Sequence, residues 1–149
     1  MEQKKLIKLV KKMREEMGLG VMDIKSAVEE ANGDEMKAKE ILKKKGYQKA
    51  KKKAGREVKA GLVTTYTHVN GKIGVMVELL CETDFVAKNE HFVRVARDIC
   101  LQVTAMGKKD LVNQEFIKDS TKKIDDLIKE LVAKFGENIR IGKVERFEI

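Results

Sequence analysis

Tryptophan is absent from this chain of 149 residues, and aromatic side chains make up only 5% of it. Hydrophobic residues still reach 42%, so a core is available, but it has to be built from Leu, Ile, Val, Ala and Met. Cysteine is scarce too: Cys81 and Cys100 are the two present, and neither stands in a metal-binding or redox spacing. Each falls within an apolar pattern, which suits a small core residue in a reducing compartment such as the cytoplasm. No apolar run approaches the roughly 18 residues that a membrane span needs. Met1–Val10 is basic, but Lys4, Lys5 and Lys8 interrupt it too often for a signal-peptide core. The lack of Arg and Ser there argues against a mitochondrial presequence.

Catalytic equipment is missing in the same way. There is no Gly-rich phosphate loop, no His-rich metal spacing and no nucleophile elbow. Gly18-x-Gly20 is too short for a nucleotide loop and lies between helical patterns. His68 and His91 each lack a second ligand or partner, and both read as surface residues. Most Asp and Glu stand at helical spacing from Lys, as on a solvated face. No metal, cofactor or covalent catalyst is expected.

What the chain does have is charge, 38% of its residues, unevenly spread. Residues 1–59 hold 18 basic and 10 acidic side chains, whereas residues 60–149 hold 14 of each. The whole excess of +8 therefore lies in the first part, which marks a boundary and points to an acidic partner surface or a polyanion. Hydrophobic periodicity divides the chain at the same place. Three short helical patterns occupy residues 1–46, separated by Gly18-Leu19-Gly20 and Asn32-Gly33-Asp34 and ending at Gly46. So small a bundle is marginal by itself. Residues 47–57 read as a basic linker, a solvated connector rather than a nucleic-acid contact, because only Tyr47 could stack on a base.

Residues 58–149 read as an α+β core. Val58–Val69 and Ile73–Cys81 alternate as strands, and Asn70-Gly71 predicts a type I′ hairpin turn between them. A helical stripe then runs from Val86 to Met106, a shorter helical piece covers Leu111–Ile117, and Ser120 can cap a helix carrying Ile124, Leu127, Ile128, Leu131 and Val132. Ile139–Ile149 gives a last strand, with Gly142 placed for a bulge. The expected fold is a three-helix bundle followed by an antiparallel sheet packed against helices.

The informative stretch is the junction Cys81-Glu82-Thr83-Asp84-Phe85-Val86-Ala87-Lys88-Asn89. Here an alternating apolar strand gives way to a helix, and Thr83 or Asp84 can cap it. The bland reading is a cap with a ring tucked into the core. The sharper one is a wedge, in which Asp84 and Phe85 project one charge and one apolar anchor into a partner.

Two stretches resemble one family. Arg14-Glu15-Glu16-Met17-Gly18-Leu19-Gly20-Val21-Met22-Asp23-Ile24-Lys25-Ser26-Ala27 looks like the amino-terminal signature of bacterial elongation factor Ts. Thr83-Asp84-Phe85-Val86-Ala87-Lys88-Asn89 matches that family's second signature, and Gly136-Glu137-Asn138-Ile139 with Arg146-Phe147-Glu148 resembles its closing segment. The resemblance implies a guanine-nucleotide exchange factor for elongation factor Tu, acting by binding and not as an enzyme. It implies a ubiquitin-associated-like (UBA-like) helical module at 1–46, with Arg14, Val21 and Met22 docking that module on the GTPase. It implies that Thr83, Asp84, Phe85 and Val86 disturb the Mg²⁺ end of the partner's nucleotide pocket. Many members carry a duplicated core; this chain has room for one, so a homodimer is expected. Membrane and direct nucleic-acid contacts are not. The rival readings are an RNA- or ribosome-binding protein, drawn from the basic first part, and a helical interaction module on an unrelated core.

Overall fold

The computed structural model describes residues 2–149. Its first part is a three-helix bundle: α1 (Gln3–Met17), α2 (Val21–Glu30) and α3 (Glu35–Lys53). Met13, Ile24, Ala27, Val28, Ala38 and Leu42 form its core, all at or below 4% exposure. Gly18 ends α1 in the left-handed conformation, and the Asp34 carboxylate caps α3 by accepting from the Lys37 amide at 3.1 Å. Glu35 bridges Lys12 and Lys39, each at 2.8 Å, and so ties α1 to α3. The hydrogen bond from Lys12, then that from Lys39, holds its carboxyl down at about 2.

Helix α3 does not stop at Gly46 as the sequence suggested. It runs on to Lys53, so the expected linker is half helix. The reason is a second surface to pack on. Ala38 and Leu42 serve the bundle, whereas Ala50, further along, joins the larger core. Gly46 lies between them, where α3 crosses α6 (Ile124–Phe135), and a Cβ there would stand 3.2 Å from the Ala133 Cβ. Glycine is needed here for close approach, not for termination.

The larger core is a three-stranded antiparallel sheet in the order β1-β2-β5, with β1 at Ala60–Thr67, β2 at Ile73–Cys81 and β5 at Arg140–Glu148. Val75, Val77, Leu79 and Cys81 point from β2 into a core shared with α5 (Glu90–Met106) and α6. The β1–β2 connection is not a two-residue type I′ turn. The His68 amide pairs with the Ile73 carbonyl around a four-residue loop, in which Gly71 takes positive φ and Asn70 does not. A bulge falls at the register shift opposite Val77–Leu79, between Ile141 and Val144, and so includes Gly142.

Two further differences concern the helices. The stripe from Val86 is two helices, not one: a single turn, α4 (Asp84–Ala87), precedes α5, which Asn89 caps separately. Leu111–Ile117 is not helical beyond one 3-10 turn (Leu111–Asn113). It continues into a small ribbon, β3 (Glu115–Phe116) with β4 (Asp119–Lys123), which takes up Ser120. The amide of Gln102, fully buried on α5, holds that segment. It donates to Gln114 Oε1 and the Glu115 carbonyl and accepts from the Ile117 amide at 2.9 Å. A buried glutamine on an otherwise apolar stripe gave no sign in the sequence of what it would hold.

Gly61 in β1 has φ +147°, and a Cβ there would overlap the Leu79 carbonyl oxygen. Gly55 has open space around it. Gly61→Ala is therefore expected to lower the unfolding free energy by about 1–3 kcal/mol, and Gly55→Ala to leave it within about 0.5 kcal/mol, both read as urea midpoints at constant slope.

Candidate functional site: the strand-to-helix corner

Strand β2 stops at Cys81, and the next amides have no strand to pair with. The Glu137 carboxylate receives them: Oε1 accepts from the amides of Glu82 and Thr83, each at 3.1 Å, and Oε2 accepts from the Thr83 hydroxyl at 2.7 Å. The bonds are reciprocated one residue on, where the Asn138 amide donates to Glu82 Oε1 at 2.7 Å. Asn138, buried, reaches the other way and donates through Nδ2 to the Arg56 carbonyl at 2.7 Å and the Ala54 carbonyl at 3.4 Å. Arg56 also stands 3.6 Å from Glu82. The end of β2, the approach to β5 and the chain leaving α3 therefore meet at one polar knot.

On this base sits α4. Of the two possible caps, Thr83 is the one used: its Oγ1 accepts from the Val86 amide at 3.4 Å. Cys81 Sγ donates to the Thr83 carbonyl at 3.2 Å; burial, then the neighbouring Glu137, raises its thiol above the usual value and keeps it protonated. Cys100, also raised by burial, donates to the Thr64 carbonyl. Both cysteines are free and buried.

The two faces of the single turn differ sharply. Val86 is buried at 4% and anchors the turn in the core. Thr83 and Asp84 are exposed, and Phe85 is 86% exposed. The apolar ring is thus open to water, on a turn capped and clamped from beneath.

The amino-terminal candidates are all exposed. Arg14 is exposed in the last turn of α1; Val21 and Met22 open α2 and are 39% and 75% exposed. These residues and the corner stand on different elements, and between them Glu15–Gly18 at the end of α1 and Asn89 and Glu90 at the start of α5 line one pocket. Between bundle and core runs a cleft of about 490 Å³, lined in part by Leu19, Leu42, Tyr47, His91, Ala133 and Lys134. Tyr47 closes one side by donating to Asp126 on α6, with the Lys129 ammonium 4.2 Å from its ring centre. Burial, then that bond, raises the Tyr47 phenol above its usual value, so it remains the donor. Beyond it the Lys53 ammonium donates to the Gly136 carbonyl at 2.7 Å. Among the described residues, no group of three or more His, Cys, Asp or Glu could hold a metal ion, and no helix is long and apolar enough to cross a membrane.

The elongation factor Ts family model matches residues 82–149, from the corner to the carboxyl end. Elongation factor Ts of Thermotoga maritima and that of Thermotoga sp. strain RQ2 are each 41% identical over 187 aligned positions, taking in 95% of this chain and 94% of the relative. This chain belongs to the elongation factor Ts family. Elongation factor Ts of Leptospira biflexa serovar Patoc is 39% identical, with 94% and 95% covered. The aligned positions outnumber this chain's 149 residues, so these relatives contain segments that it omits. Within the family motif, sequence reasoning found Thr83, Asp84 and Phe85 but gave Glu137 and Asn138 no role. The signal was present, since both were noted in the closing segment, but their partners lie more than 50 positions away.

His91, expected at the surface, is half-buried beside the cleft. Burial lowers its pKa, with Lys134, Arg94 and Lys122 acting in the same direction and Asp98 opposing. A base whose folded pKa is depressed costs stability as pH falls from its ordinary value through the folded one. Unfolding free energy is thus expected to decline from about pH 7.5 to about pH 5, and His91→Gln to flatten that decline. A slope unchanged in His91→Gln would assign the pH dependence to other groups.

Proposed function

We propose that this chain is a guanine-nucleotide exchange factor that binds elongation factor Tu·GDP and promotes GDP release. The observation that carries the reading is Phe85: apolar, almost wholly exposed, and held on a clamped single turn beside Asp84. Mg²⁺ needs near-ideal octahedral geometry, so small displacements of its ligands weaken it steeply. Burying a Phe side chain contributes about 1.5–3 kcal/mol, and a ring already fixed by its turn loses little further freedom on insertion. Phe85 supplies the apolar anchor, and Asp84 brings a negative charge to the metal and phosphate end of the pocket. Thr83 caps the turn that presents them, and Val86 holds that turn to the core. Arg14, Val21 and Met22 dock the bundle on the GTPase, so residues 1–46 and 58–149 act as two contact modules joined through 47–57. No covalent chemistry is involved. Linkage makes the action reversible: whatever factor binding does to nucleotide affinity, nucleotide does to factor affinity. The setting is the cytoplasm, where translation takes place.

The chain acts as a homodimer in the same reading, because one face of its sheet is uncovered. Met76 on β2 is 52% exposed. Val63 on β1 and Phe147 on β5, at 59% and 74%, lie on the same face by register, paired with Glu78 and Gly74. Glu78, Glu145 and Arg140 share that face by register, so the pairing surface sets apolar side chains among charges of both signs.

Two measurements test these readings. In stopped-flow GDP release from elongation factor Tu, Phe85→Ala is expected to slow the stimulated rate by about 10- to 100-fold, with an unchanged circular-dichroism spectrum because the ring packs on nothing of its own. A stimulated rate equal to wild type would retire the wedge. By light scattering the chain is expected at the mass of a dimer, and Phe147→Glu at that of a monomer. A wild-type monomer with full activity would remove the pairing.

A further inference from the structure

We infer that Glu137 is a positioning residue for exchange, aiming Phe85 through the backbone of Glu82 and Thr83. The inference rests on the exchange-factor reading above, and it concerns how the ring is held rather than what the ring does.

A four-residue helix has little stiffness of its own, because it closes almost no hydrogen bonds of the helical kind. Its direction must be set by what precedes it. Here Glu137 makes three hydrogen bonds to two consecutive residues, Glu82 and Thr83, immediately before the turn. A carboxylate accepting from two backbone amides and a hydroxyl forms charge-assisted bonds with fixed directions, the shortest being that from the Thr83 hydroxyl at 2.7 Å. The Thr83 hydroxyl is shared: it donates to Glu137 and accepts from the Val86 amide. Rotating Thr83 to follow a displaced carboxylate would therefore uncap α4. Behind Glu137, Asn138 is tied to Glu82 and to the Ala54 and Arg56 carbonyls, so the carboxylate stands on a braced segment and not on a free loop. Glu137 is itself half-buried and the Phe85 ring is open to solvent, so Glu137 acts on the ring only through the main chain. An insertion that must displace the ligands of an octahedral ion is sensitive to errors of aim well under the size of the ring.

The test is a double-mutant cycle on stimulated GDP release, with Glu137→Ala, Phe85→Ala and the two combined. Factor concentration is varied so that the saturating rate and the half-saturating concentration are read separately. Glu137→Ala is expected to lower the saturating rate about tenfold and to shift half-saturation by less than about twofold. In the Phe85→Ala background it is expected to cost nothing more, because no ring remains to be aimed. Glu137→Gln keeps an oxygen for the two amides and is expected to recover most of the rate. A general loss of structure would move half-saturation as well and would add to Phe85→Ala.

If Glu137→Ala slows the Phe85→Ala protein by the factor seen in wild type, or leaves the wild-type rate unchanged while Phe85→Ala slows it, the inference is overturned and the wedge survives. If Phe85→Ala itself is as fast as wild type, the wedge reading falls and this inference with it. Should Glu137→Ala not fold by circular dichroism, the decision passes to Thr83→Val, which deletes the shared hydroxyl, and Thr83→Ser, which keeps it. Slow release in the first and recovery in the second are expected; equal rates in both overturn the inference.

Discussion

A central strand that runs as far as both its neighbours leaves the next amides for water or a side chain to satisfy. In this chain the carboxylate of Glu137 satisfies two of them at once, and much of the architecture follows from that placement. It holds the residues before β5 against the end of β2, where the pairing of the last strand on the middle one begins. Glu82 returns the bond to the Asn138 amide, so the junction is closed from both sides. Buried polar groups of this kind are costly when half satisfied and stiff when fully satisfied. No buried side-chain nitrogen or oxygen is left without a partner among the described residues.

The same junction joins the two halves of the molecule. Asn138 holds the chain leaving α3, and a few residues earlier α3 lies along α6 through Gly46, Tyr47 and Lys53. What reads as a soluble basic connector is half a strut, with its lysines divided between solvent and specific acceptors. Lys49 pairs with Asp23 at 2.9 Å, and Lys53 meets the carbonyl at the end of α6, where the helix dipole favours a cation. Exposed ion pairs such as these add little stability individually. The helix crossing and the backbone acceptors do more to fix the bundle against the core. Function as proposed here uses that geometry, since a docked bundle and an aimed ring have to meet one partner together.

The family motif and the shape of the corner explain each other in physical terms. Thr83 is a cap, Val86 is an anchor, and between them Asp84 and Phe85 have no task inside the chain. Two residues of a helical turn that are exposed while their neighbours are buried or bonded are free to serve a partner. The bland reading, a ring tucked into the core, fails on the exposure of Phe85 alone.

Periodicity and local capping chemistry determined a good deal by themselves. The bundle helices, Asp34 as a cap and a cap at Thr83 or Asp84, β2 from Ile73 to Cys81 with its buried face, α6, and the α+β order were all legible, because each depends on residues within a few positions of one another. The tertiary structure decided what depends on distant partners. Gly46 reads as a stop until Ala133 lies against it, although Ala38, Leu42, Gly46 and Ala50 at four-residue steps already mark one stripe running through it. The ribbon around Ser120 depends on Gln102, and the aim of the corner depends on Glu137, whose three bonds cross more than 50 residues of chain. A hydrogen-bonding side chain has no periodicity to betray its partner, so only the folded chain reveals it.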